Sequence, residues 1–478
     1  MDSLALVIFG ITGNLAQIKL IPALYDMAEK NLLPDNVSII GIARKDLSRE
    51  EFCAYLDEVV HRENLHHNHE IKQEVVDKLF SRFHYLNGEL DDPVFYNKLK
   101  DYLESLDKNG RDNRIYYLAT YPDLYSSIFE NLQALGLNKQ DDGYVRLMIE
   151  KPIGNDLKSA QDLNLLLQKY FDENQIYRLD HYLGKETLQN ILIFRFGNEV
   201  FEPLMNKDYI DHIQITAGED FGIGARGGYY DTVGALKDVG QNHQLQMLAF
   251  ATMDAPSEFT NQAVTAERIK ILESIVPNPE KIVFGQYQGY LGEPNIKEGS
   301  KTDTFYALKT EINNERFKGV PVYIRAGKKL KQTVTEISVV FKVPSNRLFQ
   351  DKQESMSPNI LVYRIQPNEG IVLKIFSKKP GHTVDVSEEY MQFCYKTTGN
   401  DLPDPYEHLI SDTILGDQTF FNDAKEVEAQ WAFTDPLSAV NKDPYIYNVG
   451  SWGPKEADEL IEEDGRHWLE PSMEFCRI

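Results

Sequence analysis

Six consecutive apolar residues, Leu4–Phe9, run directly into Gly10-Ile11-Thr12-Gly13-Asn14-Leu15-Ala16, and an amphipathic stretch carrying Leu20, Leu24 and Met27 follows. A strand without polar alternation is buried on both faces, which calls for a parallel sheet with helices above and below it. Strand, glycine turn and helix in that order is the setting of a dinucleotide-binding turn. Its glycines let backbone approach a pyrophosphate, and the helix start supplies N–H groups. The spacing here is G-x-x-G rather than G-x-G-x-x-G, and an ordinary tight turn has the same appearance. Gly10, Ile11, Thr12, Gly13, Asn14 and Leu15 are the candidate cofactor contacts at this turn.

The pattern then repeats. Residues 37–42 form a second strand ending in Ala43-Arg44-Lys45, with no acidic residue at the tip. An acid at that place suits the ribose hydroxyls of NAD, whereas the cations Arg44 and Lys45 suit the 2′-phosphate of NADP. Strand-like runs at 82–86, 114–119, 144–149 and 175–179 alternate with helix-like segments at 91–106, 122–135 and 157–171. This predicts a Rossmann-like, doubly wound parallel sheet in an α/β domain over residues 1–177. Ligands of such sheets lie off the carboxyl ends of the strands. Arg44, the Ala119-Thr120 turn, Glu150-Lys151-Pro152 and Asp180 all fall at those ends.

From residue 209 the periodicity changes. Ile210, His212, Gln214 and Thr216 alternate with Asp211, Ile213, Ile215 and Ala217, the pattern of a sheet covered on one face. Strands at 304–312, 320–325, 334–343, 359–365 and 371–376 have few helices between them. Helices are expected at 228–251, 263–274, 406–415 and 426–434. This predicts an α+β second domain, residues 178–478, with a large, mainly antiparallel sheet. A length of 478 residues fits two or three domains. The formal charge of -24 argues against nucleic-acid or anionic-membrane partners. Cys53, Cys394 and Cys476 are few and far apart, with no disulfide framework or zinc spacing, which points to a reducing cytoplasm.

Three stretches concentrate chemistry. In Arg178-Leu179-Asp180-His181-Tyr182-Leu183-Gly184-Lys185-Glu186, a carboxylate, an imidazole, a phenol and an ammonium meet at a strand-to-helix junction. A lysine at a helix start opposes the macrodipole unless an anion binds there too. The alternative is that Asp180 caps the helix and Lys185 is solvated. In the expected helix 228–251, Leu236, Val239, His243, Met247 and Phe250 form one stripe. His243 is then either a satisfied core histidine or a general base in a low-dielectric cleft. Arg325-Ala326-Gly327-Lys328-Lys329-Leu330-Lys331 is the densest cationic run in an acidic chain. It reads as a solvated turn or as a phosphate site.

These stretches resemble glucose-6-phosphate dehydrogenases. Residues 178–186 differ only at Leu179 from the family's substrate signature R-I-D-H-Y-L-G-K-E. Residues 10–25 resemble G-A-S-G-D-L-A-x-R-K-L-x-P-A-L-Y, with Asn14 for Asp. Glu150-Lys151-Pro152-Ile153-Gly154 is similar to E-K-P-F-G. Gly227-Gly228-Tyr229-Tyr230-Asp231, Lys237-Asp238, Gln241-Asn242-His243, Arg325-Ala326-Gly327-Lys328, Gly416-Asp417-Gln418-Thr419 and Gly450-Ser451-Trp452-Gly453-Pro454 also match, so the resemblance runs from residue 10 to about 468. It implies oxidation of glucose 6-phosphate at C1 to the 6-phosphogluconolactone with NADP, the first oxidative step of the pentose phosphate pathway. It implies His243 as base with Asp180 as its partner, and His181, Tyr182, Lys185, Glu219 and Asp238 as substrate contacts. Lys328 becomes a sugar-phosphate ligand, and Lys151 serves substrate and cofactor alike. No metal is needed, since a base and a bound hydride acceptor complete the chemistry. A cytoplasmic homodimer, or dimer of dimers, formed through the second domain's sheet is also implied. Tyr121 departs from a common Pro-Pro pair and Gly224-Ala225-Arg226 from Glu-Gly-Arg. Thr333 departs from a basic residue for which Lys329 or Lys331 could substitute. Another Rossmann-type sugar oxidoreductase and a non-catalytic sensor of NADP or sugar phosphate are the rival readings.

Overall fold

A computed structural model of the chain describes residues 3–67, 71–106, 113–139, 142–344, 357–398 and 402–476. The chain forms two compact units. The first comprises Met1–Gly154, Lys158–Gly184 and Pro403–Ala424; the second comprises Asn155–Leu157, Lys185–Leu402 and Lys425–Ile478. The single boundary expected at 177/178 is therefore replaced by several crossings, and a late segment returns to the first unit.

In the first unit, β1 (Leu4–Phe9), β2 (Val37–Ala43), β3 (Phe83–Asn87), β4 (Asn113–Leu118), β5 (Val145–Ile149) and β6 (Ile176–Arg178) form a six-stranded sheet. Its order is β3-β2-β1-β4-β5-β6, and every pair is parallel. Strand order reverses direction between β1 and β4, which opens a crevice at their carboxyl ends. The returning segment explains how β6 is finished. Gln418 Nε2 donates to Ile176 O at 3.0 Å, and Asn422 N donates to Arg178 O at 3.1 Å. The helix Pro405–Leu415 within that segment has a capping box of Asp404 and Glu407 and ends at Gly416, whose φ is 86°. Arg146 of β5 donates to the last carbonyls of this helix, Thr413 O at 2.6 Å and Ile414 O at 2.8 Å. Leu409, Ile410 and Phe421 join the same core as Leu24 and Tyr177. Each such aliphatic side chain contributes about 1.5–3 kcal/mol by leaving water.

In the second unit, β7 (Ile210–Gly218), β8 (Ile282–Tyr287), β9 (Phe305–Glu311), β10 (Pro321–Gly327), β11 (Val334–Phe341), β12 (Ile360–Gln366), β13 (Gly370–Lys378), β14 (Val386–Cys394) and β15 (Tyr445–Tyr447) form a nine-stranded sheet. The order is β14-β13-β12-β11-β7-β10-β9-β8-β15, antiparallel except at β7–β10 and β8–β15. The one-sided covering expected for β7 does not hold. His212, Gln214 and Thr216 are buried because the chain's last segment lies over them. Gln214 Nε2 donates to His467 O and its Oε1 accepts from Leu469 N, both at 2.9 Å. The segment continues over Arg325, Gln332 and Arg364, which donate to Leu469 O, Pro471 O and Ser472 O. It ends in a disulfide between Cys394 and Cys476, which are 82 residues apart in the chain. This corrects the expectation of no disulfide framework: sequence spacing carries no trace of a pairing made across a sheet edge.

The helix expected over 228–251 is interrupted. Gly227–Ala235 breaks at Gly234, where φ is 75° and ψ is 172°; a π-type stretch, Leu236–Gln244, then leads into the α-helix Leu245–Thr252. Wider π turns rotate the faces. Asp238, Gly240 and Gln241 become buried, while Val239, placed in the apolar stripe by a regular helix, is only half-buried.

Candidate active site

In the first unit, the sequence candidates lie beyond the carboxyl ends of parallel strands. Gly10, after β1, has a φ of +89°, and a Cβ there would stand 2.5 Å from Ala119 O; at Gly13 it would stand 3.0 Å from Gly10 O. Only glycine permits this turn. Gly10 N and Ile11 N both donate to Ile42 O, and Ala119 N donates to Phe9 O, so the turn is tied to β2 while the ends of β1 and β4 are held together. Ile11 is buried, Thr12 and Leu15 are half-buried and Asn14 is exposed. Such a turn admits the backbone-close approach of an anion.

After β2, Arg44 and Lys45 are exposed. Tyr85 and Asn87 of β3 fix their loop: Tyr85 donates to Lys45 O, and Asn87 Nδ2 to Asp46 Oδ1 at 3.1 Å. After β4, Ala119 and Thr120 are half-buried and Tyr121 is exposed. After β5, Glu150 accepts from the Tyr117 hydroxyl, and the Lys151–Pro152 peptide is cis. Burial pushes the Glu150 carboxyl up, against the hydroxyls of Tyr117 and Tyr406, which favour its charged form. Neither tyrosine carries a sequence signal. After β6, Asp180 is 2% exposed. Its Oδ1 accepts from Tyr182 N and its carbonyl from Leu183 N, both at 2.9 Å. Asp180 therefore shapes a turn rather than capping the next helix, which ends the capping alternative. The His181 and Tyr182 rings lie 4.9 Å apart.

In the second unit, Lys185 is the N-cap of the helix Glu186–Phe196, and its side chain makes no cap bond. A lysine at that position opposes the macrodipole unless an anion binds there too. The end of β7 and the turn after β10 meet through Glu219 N to Gly327 O and Leu330 N to Glu219 O, both 2.9 Å. This places the Lys328 ammonium against the Glu219 carboxylate. Lys328 is 5% exposed and stands over the rings of Phe221 and Tyr230. The rest of the cationic run points elsewhere. Arg325 lies between Trp452 and Trp468, Lys329 over Tyr287, and Lys331 pairs with Glu470 at 3.1 Å. Lys329 and Lys331 are thus engaged by Tyr287 and Glu470. The Thr333 hydroxyl instead donates to Asp220 Oδ1 at 2.6 Å. Asp238 is 7% exposed and lies 3.6 Å from the Arg226 guanidinium; His243 is 2% exposed. Burial pushes the Tyr230 phenol well up, aided by the charges of Asp303, Asp238 and Glu219.

A family model described as the glucose-6-phosphate dehydrogenase NAD binding domain matches residues 7–190, and one described as the C-terminal domain matches residues 192–469. The glucose-6-phosphate 1-dehydrogenase of Chlamydia pneumoniae is 42% identical, covering 97% of this chain and 95% of the relative. Glucose-6-phosphate 1-dehydrogenase 2 of Mycobacterium tuberculosis is 39% identical, covering 98% and 94%. Among solved structures, the glucose-6-phosphate 1-dehydrogenase of Mycobacterium avium aligns with a TM-score of 0.90 at 34% identity, covering 99% of each chain. A glucose-6-phosphate dehydrogenase in complex with glucose 6-phosphate aligns with a TM-score of 0.91 at 34% identity, covering 98% of this chain and 99% of that one.

Proposed function

The chain belongs to the glucose-6-phosphate dehydrogenase family, and from that membership we propose how its own residues divide the work. It oxidises glucose 6-phosphate at C1 and passes the hydride to a nicotinamide dinucleotide. The finer reading is NADP: the cradle of Gly10 and Gly13 suits a pyrophosphate, and the exposed Arg44 and Lys45 suit a 2′-phosphate. Ile11, Thr12, Asn14, Leu15, Ala119, Thr120, Glu150 and Lys151 complete the cofactor side. When bound, the nucleotide supplies the hydride-accepting carbon.

His243 takes the proton of the C1 hydroxyl, and Asp180 steadies its protonated form. Lys185, His181, Tyr182 and Lys328 hold the phosphate, and Lys151 reaches substrate and cofactor. Glu219 and Asp238 accept from sugar hydroxyls. One observation supports this division best. The second unit gathers a buried imidazole and a buried carboxylate on one π-type stretch, and a buried lysine paired with Glu219 on the neighbouring strand ends. Its test is His243→Asn, which should lower kcat by roughly 10²–10⁴ while glucose 6-phosphate still binds. Near-normal turnover removes His243 from the mechanism.

We also propose a homodimer, or dimer of dimers, built through the second unit's sheet, whose edge strand β14 exposes Tyr390, Met391 and Phe393. Light scattering of the purified chain tests it; a monomer at assay concentration refutes it. A cytoplasmic location is part of the same proposal, since a charged sugar phosphate and a charged dinucleotide do not cross membranes unaided; the Cys394–Cys476 disulfide removes the cysteine-spacing argument for it. Among the described residues no helix is long and apolar enough to cross a membrane.

A further inference from the structure

The stretch bearing Asp238 and His243 is held at both ends by side chains of opposite charge. At its start, Leu236 N donates to Asp303 Oδ2 at 2.9 Å, and Ala235 N donates to the Asp303 carbonyl at 2.9 Å. At the far end of the α-helix Leu245–Thr252 that continues it, buried Arg195, itself paired with Glu202, donates to Phe250 O at 3.0 Å and to Met253 O at 2.7 Å. A carboxylate at the amino end and a guanidinium at the carboxyl end both match the helix macrodipole. Between them, Tyr306 donates to Gln244, and Gln244 Nε2 donates to Arg325 O at 2.9 Å.

Asp303 does more than cap. The break at Gly234 is shaped around it, since a Cβ at Gly234 would stand 2.2 Å from Asp303 Oδ1. The next residue, Thr304, accepts from Lys328 N at 2.9 Å, and the Tyr447 hydroxyl donates to Lys328 O at 2.6 Å. Two adjacent residues thus grip the segment of the proposed base and the segment of the proposed phosphate ligand. Burial pushes the Asp303 carboxyl up to about 6, so a charged group is kept there at a cost.

We propose that Asp303 is a positioning residue for the reaction: its carboxylate fixes where the stretch with Asp238 and His243 begins, in register with Lys328 on the neighbouring turn. The inference rests on the roles given above to His243, Asp238 and Lys328. Misplacing a reacting group by 1 Å can cost about 100-fold in rate. Asp303→Ala should therefore lower kcat/KM for glucose 6-phosphate by at least about tenfold, with the nucleotide KM within about twofold of the parent. Asp303→Asn keeps an oxygen for the Leu236 amide and should recover the parent value to within about threefold. A purely structural role gives no such split between substrates and no rescue at equal folded fraction.

If the alanine variant does not fold, Asp303→Ser decides. Serine caps helices well but on a shorter arm, so the helix start must shift to reach it. About a tenfold loss in kcat/KM for the sugar phosphate is expected, again without a change in the nucleotide KM. A folded alanine or serine variant of parental efficiency overturns the inference, as does an asparagine variant as impaired as alanine. His243→Asn, run alongside, separates the two levels. Lost turnover there with unimpaired Asp303 variants refutes only the positioning role, whereas normal turnover there removes its premise.

Discussion

Replacing Lys328 by alanine tests the phosphate pocket most directly. The backbone at this position is held independently of the side chain, by Thr304 O at the amide and the Tyr447 hydroxyl at the carbonyl. The substitution should therefore leave the turn in place. The ammonium is nearly enclosed, with 7% of the side chain exposed, and without substrate its partner is Glu219. A hydrogen bond to a charged group contributes about 1.5–3 kcal/mol. Part of that is already satisfied by Glu219, so the gain on binding phosphate lies at the lower end. The lower end, about 1.5 kcal/mol, is about tenfold in affinity. Alanine also leaves Glu219 facing the phosphate without a counter-charge, which adds to the loss. Lys328→Ala should raise the KM for glucose 6-phosphate at least about tenfold while leaving any turnover of unphosphorylated glucose little changed. Steady-state kinetics with both sugars decides. Equal losses on both would show that Lys328 serves the fold or the catalytic geometry. From sequence alone, Thr333→Lys should lower the KM by supplying a missing cation. With Asp220 bonded to that side chain, the new ammonium pairs with Asp220 first, and the KM should move by less than about twofold.

Arg44→Ala should raise the KM for NADP far more than that for NAD, because only the former carries the 2′-phosphate; equal changes would mean that Arg44 does not read it. Asp412 has its carboxyl pushed up to about 6 by burial and by the charge of Asp417. The folded chain then holds a proton that the unfolded chain has released, so stability falls as pH rises through roughly 4 to 6 and the penalty is complete above that window. Asp412→Asn should accordingly raise Tm near pH 7.5 and change it little near pH 4.5; the same shift at both ends the argument. Reducing the Cys394–Cys476 bond with a dithiol should lower Tm, in line with about 2–4 kcal/mol for a typical disulfide, and Cys394→Ser should match it while Cys53→Ser does not. An unchanged Tm on reduction would show that the closing segment is held without the bond.

The parallel sheet was legible because strands covered on both faces must be apolar throughout, as Leu4–Phe9 is, and because the glycine turn cannot be built from other residues. The chemistry of 178–186 was legible as a cluster, but its geometry was not. Nothing local says that Asp180 spends one oxygen on the Tyr182 amide. The strand β14 is not legible because Ser387, Glu388, Glu389, Tyr390 and Gln392 give an edge no consistent apolar face. The break at Gly234 looks like a lone glycine in a helix; it acquires meaning only from Asp303, far along the chain, which carried no signal of its own. The helix Pro405–Leu415 was expected, with capping residues in plain view. Its destination was not, because that rests on single polar contacts to Arg146 and to the β6 backbone.

That destination sets the order of events during synthesis. The parallel sheet is fully translated by residue 184, yet the segment that covers its last strand ends at residue 424, 240 residues later. At about 5–20 residues per second, the ribosome needs roughly 12–48 s to deliver it. Through that interval the nascent amino-terminal body carries an uncovered edge and the bare apolar patch meant for Leu409, Ile410 and Phe421. A fragment cut at the apparent end of the nucleotide-binding half lacks 403–424 and so leaves that apolar surface exposed.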